Sequence, residues 1–430
     1  MKVAVIGTGY VGLPTGVVLS LLGNDVICVD ADPKKIEILN QGECPIFEPG
    51  LSEQMKKAIQ DGFLSFTTDT AMAVKASDIV FIAVGTPPGE DGTPDMSQVI
   101  AVAKDIANSI DHPIVIANKS TVPVGSAQLV ENVLRENGAP DGMFEVVSNP
   151  EFLREGQALW DTQRPDRVVI GAKTKEAANK LVELYTPLNA PFFVTDCASA
   201  EMIKYASNSF LATKISFINA ISRICEQCGA NVSDVASGMG ADKRIGAQFL
   251  QAGLGWGGSC FPKDVKGLMK IAEQFGYDFK LLEEAWNINE DQTAHFMRRM
   301  EARLGGFEGK VVALLGLAFK PQTDDIRDAK SLVMIDYVQE RGGKIRAHDP
   351  IATPHVKKVH PDLHYVDAVY EVAEWADVLV VVTEWNEYKQ LDLNRLGAAM
   401  KQKVLFDGRR MYDRHAAEKA GFEYYTIGSA

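Results

Sequence analysis

Several features that would define a class of protein are scarce in this sequence. Six cysteines are spread over 430 residues, too sparsely for a disulfide framework, and this favours a reducing cytoplasm. No apolar run approaches the roughly 18 residues that cross a bilayer, and polar residues near the N terminus argue against a signal peptide. Acids outnumber cations, and the net charge of −13 argues against nucleic acid or an anionic membrane as the main partner.

A metal-ligand pattern is also missing. Cys225 and Cys228 have the spacing of a zinc-binding pair, but no second Cys or His pair lies at a zinc-ribbon or zinc-finger distance. We therefore expect no metal. The length predicts two or three domains, because single hydrophobic cores stop growing near about 250–300 residues, and 46% hydrophobic with 23% charged residues is ordinary for a globular protein.

The N-terminal stretch predicts a dinucleotide site. Residues 3–6 are an apolar run typical of a strand buried on both faces, and Gly7, Gly9 and Gly12 follow at once, before a helical stretch. A second strand ends on Asp30, at about the spacing of the acid that binds ribose hydroxyls in such sites. An acid here repels a 2′-phosphate, so NAD is favoured over NADP. Lys35 would either contact the ribose or be a solvated helix residue.

Further strands at 79–84 and 114–117 alternate with helical patterns. This alternation predicts a doubly wound parallel sheet, in which the loops after the strands line the ligand crevice. Thr86 and Thr121 lie in those loops. Their prolines and glycines are equally explained by turn formation.

Two carboxylates, Glu151 and Glu155, follow the strand at 146–148. Their spacing of four would place them on one face if the chain forms a helical turn there. Solvated glutamates are the usual case, but the position after a strand of this sheet favours a role in the site.

From Ser199 to Cys228 the pattern predicts a long, largely apolar helix, followed by a second helical region from Leu268 to about Arg303. Lys204 and Asn208 are four residues apart in the first of these. A lysine and an amide on one helix face would hold an oxyanion, or would belong to an ordinary surface face. The first helix is long enough to join domains and to pair with its twin in a dimer.

The segment 255–264 reads Gly-Trp-Gly-Gly-Ser-Cys-Phe-Pro-Lys-Asp. Glycines let the backbone approach a ligand, and Pro262 suits the first turn of a helix. Cys260 would then lie at the positive end of that helix, and this position, with Lys263 nearby, favours a nucleophilic thiolate. An isolated cysteine is more often a small buried residue, but the cluster with Lys263 and Asp264 favours catalysis.

Residues 310–320 repeat the pattern of residues 2–10, and 376–383 repeat that of 76–86. This predicts a second nucleotide-type sheet. The second and third glycines of its first loop are missing, so we expect no second dinucleotide there. Lys320, Arg327 and Arg409 follow its strands, where cations are placed for phosphates or for surface salt bridges.

On these residues the chain resembles the UDP-glucose/GDP-mannose dehydrogenase family over nearly its whole length. The resemblance implies two Rossmann-like doubly wound parallel-sheet domains joined by a long central helix, with boundaries at 1–195, 196–304 and 305–430. The motifs that carry it are the loop 7–12, Phe-Glu-Pro-Gly-Leu at 47–51, Lys-Ser-Thr-Val-Pro at 119–123, Asn-Pro-Glu-Phe-Leu at 149–153, Gly-Gly-Ser-Cys-Phe-Pro-Lys-Asp at 257–264 and Phe-Asp-Gly-Arg-Arg at 406–410.

The resemblance further implies a four-electron oxidation of a nucleotide sugar, UDP-glucose first among them, at C6 to the carboxylate with two NAD in turn. Cys260 would form a thiohemiacetal and then a thioester, which agrees with the activated thiolate expected above. Lys204 and Asn208 would stabilise the oxyanion. Asp264 and Glu151 would handle protons and water, with the base at each step left open, and Thr121 would join this catalytic set.

The same resemblance assigns binding residues and a homodimer. The cofactor set is Gly7, Gly9, Tyr10, Val11, Gly12, Asp30, Lys35, Thr86, Thr121, Glu155, Lys263 and Arg327. The substrate set is Glu151, Phe152, Leu153, Arg154, Glu155, Lys204, Asn208, Phe249, Leu250, Gly253, Gly257, Lys320 and Arg409, with Arg244 reaching across from a neighbouring subunit.

Three other functions compete with this one. The same chemistry could act on another nucleotide sugar such as GDP-mannose. An ordinary two-electron dehydrogenase would use Cys260 only structurally. A dinucleotide-binding regulator would have no turnover, and it would have no need of the thiol, lysine, amide and carboxylates together.

Overall fold

The computed structural model describes residues 1–89 and 92–429. The chain folds into two compact units. One unit comprises Met1–Ser207 with Lys266–Phe275, and the other comprises Asn208–Val265 with Gly276–Ala430. Each contains one mainly parallel β-sheet with helices.

The sheet of the first unit has the strand order β3-β2-β1-β4-β5-β6-β7-β8. Neighbouring strands are parallel except β6 and β7. The strands in the described part are β1 (Lys2–Ile6), β2 (Asp25–Val29), β3 (Leu64–Thr67), β4 (Ile79–Ile82), β5 (Ile114–Asn118), β6 (Phe144–Ser148), β7 (Val168–Gly171) and β8 (Phe192–Thr195). The helices are α1 (Gly12–Leu21), α2 (Pro33–Asn40), α3 (Leu51–Gln60), α4 (Thr70–Lys75), α5 (Ser97–Ala107), α6 (Ser126–Glu136), α7 (Ala158–Gln163) and α8 (Lys175–Tyr185), with a 3₁₀ turn at Thr186–Leu188.

Burial on both faces explains the continuous apolar strands. Val3 and Val5 pack in one hydrophobic cluster with α1, while Ala4 and Ile6 pack in a second cluster with α5. Side chains alternate along a strand, so a strand covered by helices on both sides has no polar face. The predicted strands at 3–6, 79–84 and 114–117 are therefore confirmed, with ends shifted by a residue or two.

Four helices follow in the chain: α9 (Cys197–Cys228), α10 (Val232–Gly240), α11 (Phe261–Gln274) and α12 (Lys280–Leu304). The predicted long helix is confirmed as α9. The prediction of one helical region from Leu268 to Arg303 is wrong, because α11 ends at Gln274 and α12 begins at Lys280. Gly276 lies between them at φ +74°, a left-handed conformation that ends helices.

The sheet of the second unit has the order β11-β10-β9-β12-β13-β14, and its neighbours are all parallel. Six strands of each sheet thus share the nucleotide-fold order 3-2-1-4-5-6, which confirms two doubly wound sheets. The second unit adds β9 (Val311–Leu315), α13 (Lys330–Gln339), β10 (Lys344–His348), α14 (Thr353–Val359), β11 (His364–Tyr365), β12 (Val378–Val381), α15 (Leu393–Ala399), β13 (Val404–Asp407), α16 (Arg414–Lys419) and β14 (Glu423–Thr426), with 3₁₀ turns at Val369–Ala373 and Asn386–Gln390.

Among the helices in the described residues, none has both the length and the apolar character to cross a membrane.

Glu201, in the first turns of α9, holds the start of α6. Its carboxylate accepts the N–H groups of Gly125 at 2.7 Å and Ala127 at 2.9 Å, and the hydroxyl of Ser148 at 2.9 Å. The first N–H groups of a helix have no partner within the helix, and α6 has no side-chain cap of its own. A buried acid from a distant part of the chain therefore fixes the loop that leads into α6.

We predict that Glu201→Ala lowers stability by about 2 kcal/mol or more, because buried N–H groups lose their acceptor. Thermal unfolding would show this as a lower midpoint. Glu136→Ala, an exposed glutamate at the end of the same helix, is the matched control and should change stability by less than about 0.5 kcal/mol. Equal midpoints for the two variants would contradict the assignment of Glu201 as the cap.

Candidate active site

The turn between β1 and α1 brings main chain against main chain. Gly7 lies at φ +105°, and a Cβ there would lie 2.5 Å from the Ala83 carbonyl oxygen. A Cβ on Gly12 would overlap the Gly7 carbonyl, whereas Gly9 faces open space. Helix α1 starts at Gly12 with no side-chain cap among the described residues. The turn therefore leaves helix N–H groups and an open backbone for a pyrophosphate.

Asp30 follows β2 beside this turn. Its carboxylate accepts from the Thr8 hydroxyl at 2.6 Å and the Thr8 N–H at 3.0 Å, and forms an ion pair with Lys35 at 3.1 Å. Burial alone would raise the pKa of the Asp30 carboxyl, but these hydrogen bonds bring the pKa below its ordinary value. Asp30 is thus an ionised acceptor, as a ribose-binding acid must be. Lys35, for which ribose contact and a solvated position were both open, pairs with Asp30 while its side chain stays 33% exposed.

The loops after β4 and β5 are bonded to each other. The Thr86 hydroxyl donates to the Thr121 carbonyl at 2.7 Å, and the Ser120 hydroxyl donates to the Val84 carbonyl at 2.7 Å. These bonds hold the two predicted threonines together at the carboxyl edge of the sheet, where ligands bind in such folds.

Glu151 and Lys204 form a buried ion pair at 2.7 Å, with side chains 5% and 3% exposed. The Leu153 N–H also donates to Glu151, at 2.6 Å. Burial alone would raise the pKa of Glu151, but the charge and hydrogen bond of Lys204, the Leu153 N–H and the charge of Lys119 together outweigh burial and lower the pKa. Two of the predicted site residues are therefore charged partners in one dry environment.

The condition under which Glu151 and Glu155 would share a helix face is not met. Residues 149–154 form no helix, and α7 begins only at Ala158. Pro150 has no N–H to donate, and the Leu153 N–H donates to the Glu151 carboxylate. A side-chain hydrogen bond therefore replaces a helical main-chain bond in this turn. Arg154, from the predicted substrate set, forms a two-bond ion pair with Asp161.

Sequence reasoning missed Lys119. Its ammonium lies 3.2 Å from the Asn149 side-chain oxygen and 3.4 Å from the Tyr185 hydroxyl, and burial lowers its pKa to about 8. The signals were its place directly after a buried strand and its position as the first residue of the motif at 119–123. Through its bond to Asn149, Lys119 thus supports the loop that carries Glu151.

In the second unit, Cys260 directly precedes α11, so the predicted helix start is confirmed. The Cys260 carbonyl accepts the Asp264 N–H at 2.8 Å, and the Ser259 hydroxyl lies 3.6 Å from the Cys260 sulfur. The half-buried thiol therefore lies at the positive end of a 14-residue helix, a position that favours the thiolate.

Asp264 is 1% exposed and takes two partners. Lys263 donates to one oxygen at 2.7 Å, and the Asn208 amide donates to the other at 2.6 Å. The structure thus brings together three predicted residues one turn after the thiol, as an acid held between a cation and an amide.

The glycines before Cys260 are packed against loops of the second sheet. A Cβ on Gly257 would overlap the Asp328 carbonyl, and one on Gly258 would lie 2.5 Å from the Phe319 ring. The Gly258 N–H donates to the Arg327 carbonyl at 2.9 Å. Phe319 is a second residue that sequence reasoning missed, since only the fold places it here.

Of the remaining predicted residues, Lys320 and Arg327 follow β9 and Arg409 follows β13, whereas Arg244, Phe249, Leu250 and Gly253 lie between α10 and α11. The Arg409 guanidinium donates to the carbonyls of Val382 at 2.6 Å and Phe319 at 3.3 Å, and Gly253 packs against it. Arg327 pairs with Asp325, and the Lys320 ammonium lies 5.3 Å from the Phe319 ring.

The other predicted substrate residues of this unit lie before Cys260. Arg244 pairs with Asp242 and is 89% exposed. Phe249 has φ +65° and its ring lies 6.2 Å from that of Phe261, while Leu250 is buried.

The second sheet has an acid equivalent to Asp30. Asp349 follows β10 and accepts the N–H groups of Leu317 at 2.7 Å and Ala318 at 3.1 Å, and the Trp385 indole N–H at 3.0 Å. Asp349 is 5% exposed, so its carboxylate holds the loop after β9 in the interior, whereas the Asp30 side chain is 13% exposed beside its turn. That the second sheet holds no dinucleotide stays a prediction.

In the first unit the open glycine turn, the uncapped helix start and the ionised acid are the features by which dehydrogenases hold a nicotinamide dinucleotide. The class is therefore an NAD-dependent oxidoreductase. Models of the UDP-glucose/GDP-mannose dehydrogenase family match the chain with the NAD binding domain at residues 1–189, the central domain at 198–291 and the UDP binding domain at 313–414. The chain belongs to this family, and NAD is its cofactor.

Three similar proteins illustrate the relationship. UDP-glucose 6-dehydrogenase YwqF of Bacillus subtilis is 48% identical over 100% of this chain and 98% of its own length. The solved UDP-glucose dehydrogenase of Pyrobaculum islandicum has a TM-score of 0.93 at 38% identity, covering 100% of this chain and 98% of that one. The UDP-D-ManNAc dehydrogenase of Pyrococcus horikoshii reaches 0.88 at 28% identity, covering 100% and 99%.

We predict that Lys204→Met lowers stability by about 3–5 kcal/mol, because it leaves Glu151 buried without the counter-ion that is bonded to it. Glu151 would then have a raised pKa, so it would bind a proton more readily folded than unfolded. The stability of the variant would therefore fall as the pH rises from the unfolded-state pKa of Glu151 to its raised folded-state pKa. The stability lost relative to wild type would be larger at pH 8 than at pH 5. Urea unfolding at both pH values measures this.

The double variant Glu151→Gln with Lys204→Met is the control, since it removes both charges. Its loss should be smaller than the sum of the two single losses. Additive losses that do not depend on pH would show that the pair does not act as one charged unit.

Proposed function

We propose that the protein oxidises UDP-glucose at C6 to UDP-glucuronate, using two NAD and passing through a thioester on Cys260. The observation that carries the proposal is the position of Cys260 immediately before α11. The glycines that precede Cys260 allow other residues to pack closely against the main chain. Relatives that cover the whole chain and are named UDP-glucose 6-dehydrogenase support the choice of sugar.

The first oxidation removes the hydroxyl proton and a hydride from C6 and leaves an aldehyde. Bound NAD supplies the acceptor for the hydride in each oxidation. Lys204 and Asn208 stabilise the alkoxide and the later oxyanions. Each is fixed by a carboxylate, Lys204 by Glu151 and Asn208 by Asp264, so little reorganisation is needed when charge develops.

The second oxidation passes through the thiol. The Cys260 thiolate adds to the aldehyde carbon, and the thiohemiacetal alkoxide is oxidised to a thioester. Water then adds to the thioester carbonyl, the C–S bond breaks, and the acid and free thiolate form. Glu151 and Asp264 handle the water and its proton, with Thr121 as a further hydroxyl in the catalytic set.

We propose the binding sets that the family resemblance implies. Hydrogen bonds of Asp30 and the open glycine turn support the cofactor set. The cofactor residues are Gly7, Gly9, Tyr10, Val11, Gly12, Asp30, Lys35, Thr86, Thr121, Glu155, Lys263 and Arg327. The substrate residues are Glu151, Phe152, Leu153, Arg154, Glu155, Lys204, Asn208, Phe249, Leu250, Gly253, Gly257, Lys320 and Arg409.

We also propose a homodimer that pairs through α9. Phe210, Phe217 and Ile224 are 65%, 49% and 60% exposed, although they are large apolar residues. They are spaced by seven, which places them on one helix face, as in helices that pair. Arg244, 89% exposed, would then reach the partner's substrate.

The domain boundaries at 195 and 304 and a cytoplasmic location remain part of the proposal. The family-model spans agree with three functional segments. All six cysteines are free thiols in the described chain, as a reducing compartment maintains them.

We predict two NADH per sugar when limiting UDP-glucose meets excess NAD, because each oxidation releases one. Cys260→Ala should stop at or before the aldehyde, giving one NADH or none, while the same count on wild type remains two. Absorbance of NADH against added sugar measures this.

One NADH per UDP-glucose in wild type would show a single two-electron oxidation, in which Cys260 has only a structural role. Turnover with GDP-mannose or UDP-N-acetylmannosamine but not UDP-glucose would favour a sister enzyme, and no turnover with any nucleotide sugar would favour a regulator.

We predict that Phe217→Asp halves the mass in solution, because a charge is costly within an apolar helix pair. Light scattering with size-exclusion chromatography measures the mass. Lys419→Asp, an exposed change on α16, is the control and should keep the wild-type mass. A monomeric wild type, or a dimeric Phe217→Asp, would contradict pairing through this face.

A further inference from the structure

The main chain just before the thiol forms no helix or strand. Residues 251–257 have neither, yet Gly253 to Trp256 lie in the interior, with Leu254 and Trp256 buried. Buried main-chain polar groups need partners. In this segment the partners are side chains from α9 and α12.

Gly253 and Leu254 are held at three main-chain groups. The Asn219 amide oxygen accepts the Gly253 N–H at 2.9 Å, and Gln292 donates to the Gly253 carbonyl at 3.1 Å. Thr293 donates its hydroxyl to the Leu254 carbonyl at 2.6 Å. The side chains of all three donors and acceptors are nine-tenths or more buried, so water does not compete for these bonds.

Trp256 is held at both main-chain groups by one side chain. Asn289 accepts its N–H at 2.6 Å and donates to its carbonyl at 3.0 Å, as a neighbouring strand would. The approach depends on Gly255, since a Cβ there would lie 2.7 Å from the Asn289 oxygen. The Trp256 indole also donates to Ser216 at 3.0 Å.

These four side chains, which we call the amide clamp (Asn219, Asn289, Gln292 and Thr293), carry no charge. Loops elsewhere in the chain are held by buried carboxylates, for example Glu201 and Asp349. The main chain before Cys260 is instead held by neutral groups, which add no negative charge to that of Asp264, the acid that follows the thiol by one turn and pairs with Lys263.

We propose that the amide clamp positions Cys260, so that its members are positioning residues for the thiol step. The proposal rests on the proposed function for its catalytic part. None of the four side chains needs to touch the sugar, because each acts through the main chain of residues 253–256. Loosening the clamp moves the thiol, and a displacement of about 1 Å can cost a hundredfold in rate.

The test compares Thr293→Val with Thr293→Ser. Valine keeps the shape and removes the hydroxyl, while serine keeps the hydroxyl bond to Leu254. Thr162→Val is the matched control, because the Thr162 hydroxyl also donates to a buried carbonyl, at 2.7 Å, but within α7. Asn289→Ala is a second, larger lesion.

For Thr293→Val we expect kcat with UDP-glucose to fall at least about tenfold with KM within about threefold, because misplacement affects the reacting geometry more than binding. Thr293→Ser should return kcat to within about threefold of wild type. Thr162→Val should lose a similar amount of thermal stability and keep its kcat. Asn289→Ala, if it folds, should lose more kcat than Thr293→Val.

A second measurement needs no sugar. The rate at which iodoacetamide alkylates Cys260, followed by peptide mass spectrometry, should rise about fivefold in Thr293→Val, since one lost hydrogen bond makes local opening that much easier. Thr162→Val should alkylate at the wild-type rate.

Kcat within twofold of wild type in Thr293→Val, or an equal loss in Thr162→Val, overturns the proposal. If wild type does not oxidise UDP-glucose, the proposed function fails, and the alkylation rates alone decide on the clamp: equal rates in wild type and Thr293→Val overturn it.

Discussion

Buried side chains that take over the hydrogen bonds of irregular main chain are the interaction on which this structure depends. A parallel sheet places its ligand-binding loops at the carboxyl ends of the strands, and such loops cannot satisfy their own N–H groups by regular pairing. Glu48 holds Gly156 at 2.8 Å, and Glu201 holds Gly125 and Ala127. Asp407 holds Arg409 and Met411 at 3.0 and 2.6 Å. These carboxylates tie loops of the candidate site to the segment before α3, to α9 and to β13.

The charge of these supports matches the chemistry beside them. A buried carboxylate that accepts several N–H groups is stabilised by these hydrogen bonds, and the same bonds hold in place the loop that donates them. At Glu151 the interior also receives a cation, Lys204, which compensates the buried negative charge. Before Cys260 the supports are neutral amides and a hydroxyl. The carboxylate that follows the thiol by one turn, Asp264, is held by the Lys263 ammonium and the Asn208 amide.

The two sheets show how one strand order supports different binding sites. Gly7 donates to the Val29 carbonyl at 2.7 Å, and Gly316 donates to the His348 carbonyl at 2.9 Å, so the first turns are built alike. The difference lies in the acids that follow. Asp30 accepts from Thr8 and pairs with Lys35 at the rim of the turn. Asp349 instead accepts the main-chain N–H groups of Leu317 and Ala318 and the indole N–H of Trp385. Fold similarity alone therefore does not give similar ligands.

Local patterns were enough to predict the apolar strands, the glycine turn with Asp30, the long helix α9 and the helix start after Cys260. These features follow from residues close together in the chain, because periodicity, glycine and proline act locally. The break at Gly276 is also of this local kind, because a glycine in the left-handed conformation ends a helix. Partners far apart in the chain could not be read in this way: Glu48 with Gly156, Glu201 with α6, Lys119 behind Glu151, and Asn289 with Trp256. Hydrogen bonds between buried groups depend on which surfaces the folded chain brings into contact, and a linear pattern holds no record of that contact.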